Sequence, residues 1–495
     1  MSVTLPMPSS PAGAARSVLE GAVPVHARWS EANRDFLAFV ARDPGLLGRE
    51  RFAGLYANPA MHWDPMQPWP FFVDRGRLGG IAALAVGMDR LVKAAPLRFL
   101  DGDPARIAAY FRARGSMDGS PALAASLGEE MVALILEEPN GLTGGTSRGD
   151  YLETADGFRM VEYNGGRFLG GVENVVFEEM YLASEPVRRF LRESGRQARP
   201  QGVLRAYLRN VVDDTLRAGT WDGGDFNLAV VNRPVSWNAH HPAAAWEHAL
   251  RRALDDHGLA VAGRVIPCAL DELSAEGGGV TVRGHPVHVV VDRHDGSGDA
   301  RLLFRAFKLG MVNLIGGPVS ALVGDKRTLA LLSEHADSDD LTAGERELLA
   351  RHLPWTRRVV PGRTTFRGRP FRIPDDLEAH RDALVLKKGM ALGGTAVEVG
   401  RYLSPGDWAQ AVHWALGEED WVVQEYVEGI PYCFQGGDAG PAWHDAVWGI
   451  LVFGDYFGGL FLRVARAGEH GGVVNGARGA EICPVLETGE PEAAP

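Results

Sequence analysis

Arg148-Gly149-Asp150-Tyr151-Leu152-Glu153-Thr154-Ala155-Asp156-Gly157-Phe158-Arg159-Met160-Val161-Glu162-Tyr163-Asn164 folds back on itself when read as strand, turn and strand. Ala155-Asp156-Gly157 suits a three-residue hairpin loop, a type I turn closed by a left-handed Gly. That loop pairs Thr154 with Phe158, Leu152 with Met160 and Asp150 with Glu162. Side chains two apart on a strand share a face. Arg148, Asp150, Glu162 and Asn164 are therefore expected on one side, at the end away from the turn. A solvated hairpin face would also be polar, but two carboxylates and an amide oxygen in matching register make a donor set for Mg²⁺. Glu162 is placed to bridge two ions, with Asp150 and Asn164 taking one each. Two ions there suit the neutralisation of β- and γ-phosphates during phosphoryl transfer.

Outward from the hairpin, a second chemical signal lies at Val385-Leu386-Lys387-Lys388-Gly389-Met390-Ala391-Leu392-Gly393-Gly394-Thr395-Ala396-Val397. A strand delivers lysine into a Gly-rich loop that re-enters a strand. Glycines let backbone N–H groups approach phosphate closely, and lysine adds a point charge. The G-K-[ST] ending of a Walker loop is missing. A third element, Trp421-Val422-Val423-Gln424-Glu425-Tyr426-Val427-Glu428-Gly429, is a buried-type strand ending in polar residues, as an adenine-binding linker requires.

The bulk composition bounds these readings. A chain of 495 residues buries two or three cores without needing metals or disulfides. Its formal charge of −12, with no long basic run, argues against nucleic acid, whose phosphates are bound by clustered Lys and Arg. Cys268, Cys433 and Cys483 are far apart and lack zinc-like spacing, which predicts reduced structural thiols. No apolar run is long enough for a bilayer, so the expectation is a cytoplasmic protein with no membrane partner.

Domain organisation reads as follows: a disordered leader over 1–15, a helical N-terminal region over 16–130, and the metal-binding part over 131–200. An α/β substrate domain over 201–320, a nucleotide-binding part with lid over 321–485 and a disordered tail over 486–495 complete it. In the N-terminal region Trp63, Trp69, Phe71 and Phe72 read as packing aromatics. In the middle, Phe226–Val231 and Val287–Val291 read as strands and Ala243–Asp256 as a helix, giving a partly parallel sheet. His240-His241 reads as a surface loop. Ser404-Pro405-Gly406-Asp407 is a helix start with a Ser cap and Pro at the first helical position.

The lysine and Gly-rich loop followed by Q-E-Y-V, with a separate R-x-D…E-x-N hairpin, resembles the ATP-grasp superfamily. The hairpin precedes the lysine loop here, an inversion that resembles the circularly permuted ATP-grasp group, which includes the synthetase domain of glutathionylspermidine synthetase. The resemblance spans about residues 140 to 480. It implies an α+β ATP-grasp fold in permuted order, with a pre-ATP-grasp-like α/β domain and an N-terminal helical region. It implies Asp150, Glu162 and Asn164 as Mg²⁺ ligands and Arg148 as the cation facing the transferring phosphoryl group. Lys326, opening a helix after Asp325, and Lys387 become phosphate contacts. Lys388 stands where the family often has Pro, so either lysine could be the inward one. Gly393 and Gly394 would close over ATP, and Gln424, Glu425, Tyr426 and Val427 would line adenine. Arg463 and Asn475 become substrate or phosphate contacts. The implied activity is an ADP-forming carboxylate–amine ligase acting through an acyl phosphate on small-molecule acid and amine substrates. Transfer to a carrier-protein thiol, or nucleotide binding without ligation, are the alternatives.

Overall fold

The computed structural model describes residues 11–43, 65–111, 132–133, 136, 145–166, 169, 171–172, 174–231, 243–293, 299–316, 322–391, 396–437 and 440–489. Helices Pro11–Ala27, Glu31–Arg42 and Arg75–Phe99 dominate the N-terminal region, but strand β1 (Phe71–Asp74) interrupts them. Its aromatics explain the departure from an all-helical region. Phe71 and Phe72 are wholly buried, and β1 lies parallel to β21 (Glu481–Thr488). The first helix already begins at Pro11, inside the expected leader. The expected tail starts too early as well, because Leu486 is buried and Thr488 Oγ1 donates to Asp74 Oδ1 at 2.8 Å. Trp63, His240 and His241 lie outside the described residues.

The hairpin comprises β2 (Thr146–Thr154) and β3 (Gly157–Gly165), followed by the short β4 (Ala198–Arg199). The middle region supplies β5 (Phe226–Val231), β6 (Gly263–Cys268) and β10 (Val289–Asp292). With β11 (Asn313–Ile315) they form a parallel sheet ordered β11-β10-β5-β6. Every residue of β5 and β10 is buried, the mark of a sheet covered on both faces. Helices Val203–Ala218 and Ala243–Asp256 cover it, burying Tyr207 and Trp246 with Val289 and Val291. The apolar run at Val287–Val291 is not one strand. It divides at His288, whose Nδ1 accepts from Asn227 N–H at 3.1 Å. The N-terminal piece joins a separate sheet of β7 (Leu273–Glu276), β8 (Gly279–Val282) and β9 (His285–Val287).

The last third contains β12 (Thr356–Arg358), a hairpin of β13 (Gly362–Phe366) and β14 (Arg369–Ile373), and then β15 (Leu384–Lys388), β16 (Val397–Val399) and β17 (Trp421–Glu425). A four-stranded sheet runs β12-β17-β15-β16. Helix Pro405–Glu418 packs on it through Trp408, Ala411 and Ala415, and Ser404 caps it by accepting from Asp407 N–H at 3.2 Å. Finally β18 (Tyr432–Gln435), β19 (Pro441–Phe453), β20 (Tyr456–Arg466) and β21 return to the hairpin. The resulting large sheet is ordered β1-β21-β20-β19-β2-β3, with β18 beside β19 and β4 beside β21. Its core face buries Trp448, Tyr151, Phe158 and Trp29 in an aromatic cluster. The cysteines are free and buried. No helix among the described residues is long and apolar enough to cross a membrane.

Candidate functional site

The hairpin reaches the expected Asp150↔Glu162 pairing by an unexpected route. Gly157 adopts a φ of +110°, as a turn-closing Gly should, yet it pairs directly with Thr154, and Glu153 pairs with Phe158. The ladder near the turn is thus one residue out of the predicted register. Thr154 causes this by closing the turn itself: its Oγ1 accepts from Asp156 N–H at 3.2 Å and donates to the Gly157 carbonyl at 2.8 Å. A bulge then restores the register, since Tyr151 pairs with Met160 but Asp150 pairs with Glu162. Val161 is the extra residue, so Val161 and Glu162 together oppose Asp150. Without it, alternation would turn Glu162 to the core face, where Met160 and Tyr163 are buried.

Beyond the bulge the polar groups meet. Asn164 Nδ2 donates to Asp150 Oδ2 at 3.0 Å, and Arg148 Nε donates to Asp150 Oδ1 at 2.8 Å. Arg463, from β20, reaches across β19 to the same carboxylate at 2.6 Å. Glu162 pairs with Lys326 at 3.1 Å. Burial alone would push the Asp150 carboxyl up, but Arg148 and Arg463 reverse this and hold it at about 2. Glu162 is likewise pushed up by burial and pulled below its ordinary range by Lys326, Lys387 and Arg463, against the opposing effect of Asp150.

Lys326 opens the helix Lys326–Glu334, whose cap is Asp325. Asp325 accepts from Arg327 N–H at 2.8 Å and also holds the buried Arg327 guanidinium. An Asp here satisfies both the helix end and a buried cation, whereas an Asn would do only the first. The helix start is tied to the lysine strand through Gly389. Its carbonyl accepts from Lys326 N–H at 3.1 Å, and its N–H donates to the Asp420 carbonyl at 2.7 Å. A Cβ at Gly389 would lie 2.8 Å from Asp325 Oδ1, so only Gly permits this approach.

Lys387 and Lys388 separate onto opposite faces of β15. Lys388 pairs with Glu418 at 3.1 Å. Lys387 points into a cavity and donates to the Val161 carbonyl at 2.7 Å, the group at the bulge, and to Gln424 Oε1 at 2.8 Å. Burial lowers Lys387 to about 8 despite the opposing pull of Glu162. Gln424 Nε2 donates to Thr356 Oγ1 at 3.1 Å, which itself donates to the Pro354 carbonyl at 2.9 Å. That chain orients the amide oxygen toward Lys387 and commits Gln424 to positioning the lysine.

The cavity, about 310 Å³, is walled by the hairpin, the β15–β17 sheet and β19–β20. Asp150, Glu162, Lys326, Lys387, Gln424 and Glu425 line it, as do Tyr426, Val427, Arg463 and Asn475. Arg148 and Asn164 do not line it. They stand two register pairs further along and reach it through Asp150. Gly393 and Gly394 lie outside the described residues. Sequence reading did not single out the apolar wall of Val385, Val397 and Val399, although Val385-x-Lys387 and Val397-x-Val399 show the period of two that could have revealed it. It also missed Asp445 and Arg401, whose guanidinium lies 3.9 Å from the Tyr426 ring centroid. Neither has a local sequence signal. Burial, with the hydrogen bond that its hydroxyl makes to Tyr402, pushes the Tyr426 hydroxyl up to about 12.

No family model matches this sequence, and no curated protein matches it. Solved structures do. A glutathione synthetase-like effector from Globodera pallida superposes with a TM-score of 0.50 over 88% of this chain and 95% of that one, at 13% identity. The chain is folded like that effector. At such identity the likeness concerns fold alone, a mixed α+β architecture. D-alanyl-alanine synthetase A from Vibrio cholerae matches 46% of this chain and 68% of its own at 11% identity, with a TM-score of 0.24, too slight to bear on the fold.

Proposed function

We propose that this chain is an ATP- and Mg²⁺-dependent ligase that joins a small-molecule carboxylic acid to an amine through an acyl phosphate, on an ATP-grasp fold in circularly permuted order. One observation carries the reading: the Asp150–Glu162 pair and the side chains of Lys326, Lys387 and Arg463, drawn from distant segments, line one cavity. The hairpin's position before the lysine strand supports the permuted order.

The residues fit the ion. Among the described residues no group of three or more His, Cys, Asp and Glu side chains could hold a metal. Two carboxylates with an adjacent amide instead make a partial oxygen shell, which suits Mg²⁺ shared with waters and phosphates. Asp150 and Glu162, which line the cavity, would be its protein donors, with Asn164 beside them holding Asp150, and the chemistry it would supply is neutralisation of phosphate charge.

The chain's own part is positioning and charge stabilisation. The apolar wall of Val385, Val397 and Val399 suits a purine ring beside the Glu425–Val427 linker. Lys326, Lys387 and Arg463 face the phosphate end. A substrate carboxylate oxygen attacks the γ-phosphorus and ADP leaves, giving an acyl phosphate. The amine nitrogen then attacks the acyl carbon, and the tetrahedral intermediate expels phosphate as the nitrogen loses its proton. Arg463 is the guanidinium nearest this chemistry, and Arg148 acts behind it by sharing Asp150. Water would hydrolyse the acyl phosphate, so enclosure of the site serves the reaction. The test is ADP release from ATP and Mg²⁺ over a panel of carboxylic acids, with hydroxylamine to trap the acyl phosphate. Acid-dependent ADP and hydroxamate support the reading. Tight ATP binding without ADP formation across the panel would replace it with a nucleotide-binding protein.

A further inference from the structure

The carboxylates lining the cavity pair off with one exception. Asp150 meets Arg148 and Arg463, and Glu162 meets Lys326. Glu425 meets Arg367 at 2.8 Å, and Glu428 meets Arg401 at 3.7 Å. Among the described residues that line the cavity, Asp445 is the carboxylate without a basic side chain against it. Its Oδ2 accepts from the backbone N–H of Gly468 at 3.3 Å.

Asp445 is also placed at a useful distance from the reacting end. It sits on β19 opposite Ala465, while Val447, two residues on and on the same face, sits opposite Arg463. Asp445 and Arg463 are thus diagonal neighbours, roughly 7–8 Å apart at Cα. The cavity therefore has a cationic end, built from Arg463, Lys326 and Lys387, and an anionic seat one small molecule away. A half-buried carboxylate lacking a counter-ion is electrostatically incomplete, and a positive ligand completes it.

Resting on the ligase reading above, we propose that the substrate beside the nucleotide bears an ammonium group and that Asp445 is the specificity-determining residue that binds it. The ammonium can belong to the activated acid or stand on the acceptor away from its reacting nitrogen. The chemistry of recognition is the same in both cases.

The experiment uses the full chain with ATP and Mg²⁺ and has two arms. The first compares acids differing by the ammonium (alanine with propionate, 4-aminobutyrate with butyrate, glutamate with glutarate), with hydroxylamine as acceptor. The second compares 1,4-diaminobutane with 1-aminobutane as acceptors for whichever acid supports ADP release. The expected result is a KM about tenfold lower for the ammonium-bearing member in one arm, which identifies the source, and loss of that preference in Asp445→Asn. Asn keeps an oxygen for the Gly468 N–H, so an anchor of the loop alone would leave the preference untouched. Asp445→Ser is a second neutral variant that retains an acceptor. Equal use of both members in both arms, or a preference surviving in the neutral variants, overturns the assignment. Absence of acid-dependent ADP release from the unmodified chain would overturn the ligase reading itself.

Discussion

Replacing Glu162 by Gln removes one negative charge from a crowded cluster. Two carboxylates, Asp150 and Glu162, stand among four cations, Arg148, Arg463, Lys326 and Lys387, so the local charge rises from +2 to +3. The Lys326–Glu162 contact is lost as an ion pair, with the partners 6% and 24% exposed. Lys326 keeps the Ala391 carbonyl at 2.9 Å, and Gln keeps an acceptor oxygen. The stability cost then falls between that of a surface pair and a buried one, about 1–2 kcal/mol, or roughly a few degrees in Tm. Turnover should respond on another scale, falling on the order of a hundredfold or more, because a metal donor is missing at the phosphates. Nucleotide binding without Mg²⁺ should hold or tighten, since phosphate meets a more positive site. Coupled ADP release, a fluorescent-nucleotide titration in EDTA and a thermal melt separate the three effects. Near-normal Mg²⁺-dependent turnover would refute the role of Glu162. Parallel loss of binding and folding would refute the charge argument.

Further outcomes are expected elsewhere. Lys387→Met should weaken ATP binding about tenfold or more, while Lys388→Met, which removes an ion-pair partner of Glu418 on the opposite face of the strand, should leave it within about twofold; titration of both variants decides the order. His26 is buried and held neutral at about 3, and its Nε2 accepts from Cys433 N–H at 3.0 Å. Because the unfolded chain binds this proton more readily, the stability is complete above pH 6.5 and is lost as pH falls toward 3, by up to about 5 kcal/mol. Urea unfolding from pH 7 to 4 should accordingly be flatter in His26→Gln, whose amide oxygen can replace Nε2. Glu178 has the opposite sign: burial raises it to about 8, so stability declines as pH climbs from 4.5 to 8, and Glu178→Gln should remove that decline in melts at pH 6 and 8.5.

Residues 148 to 164 show how far sequence alone carried and where it stopped. Alternation along two strands placed Asp150 opposite Glu162, and they are opposite. The route was misjudged because strand period says nothing of a hydroxyl closing a turn at Thr154 or of a bulge at Val161. Those departures cancel at Asp150. Lys326 and Lys387 stood out because a helix start and a strand end have local signatures. Arg463 has no such signature, since its meeting with Asp150 depends on strand pairings between segments hundreds of residues apart. Asp445 was invisible for the same reason, having an ordinary neighbourhood in sequence and a special one only across the sheet. The strand at Phe71 was obscured by flanking helical patterning, and its pairing with Val485 is a tertiary fact.

The braiding of the large sheet has a consequence for how the molecule is made. The strand carrying Asp150 has β19 as its inner neighbour, and β1 has β21, so early and late segments must meet before the sheet closes. During synthesis the hairpin emerges roughly 290 residues ahead of β19, and the chain between must wait, partly ordered, for the late strands to leave the ribosome. Ribosome-stalled chains ending near residue 430 should therefore leave Tyr151 and Phe158 open to chaperones, although the parallel sheet of the middle region is already complete.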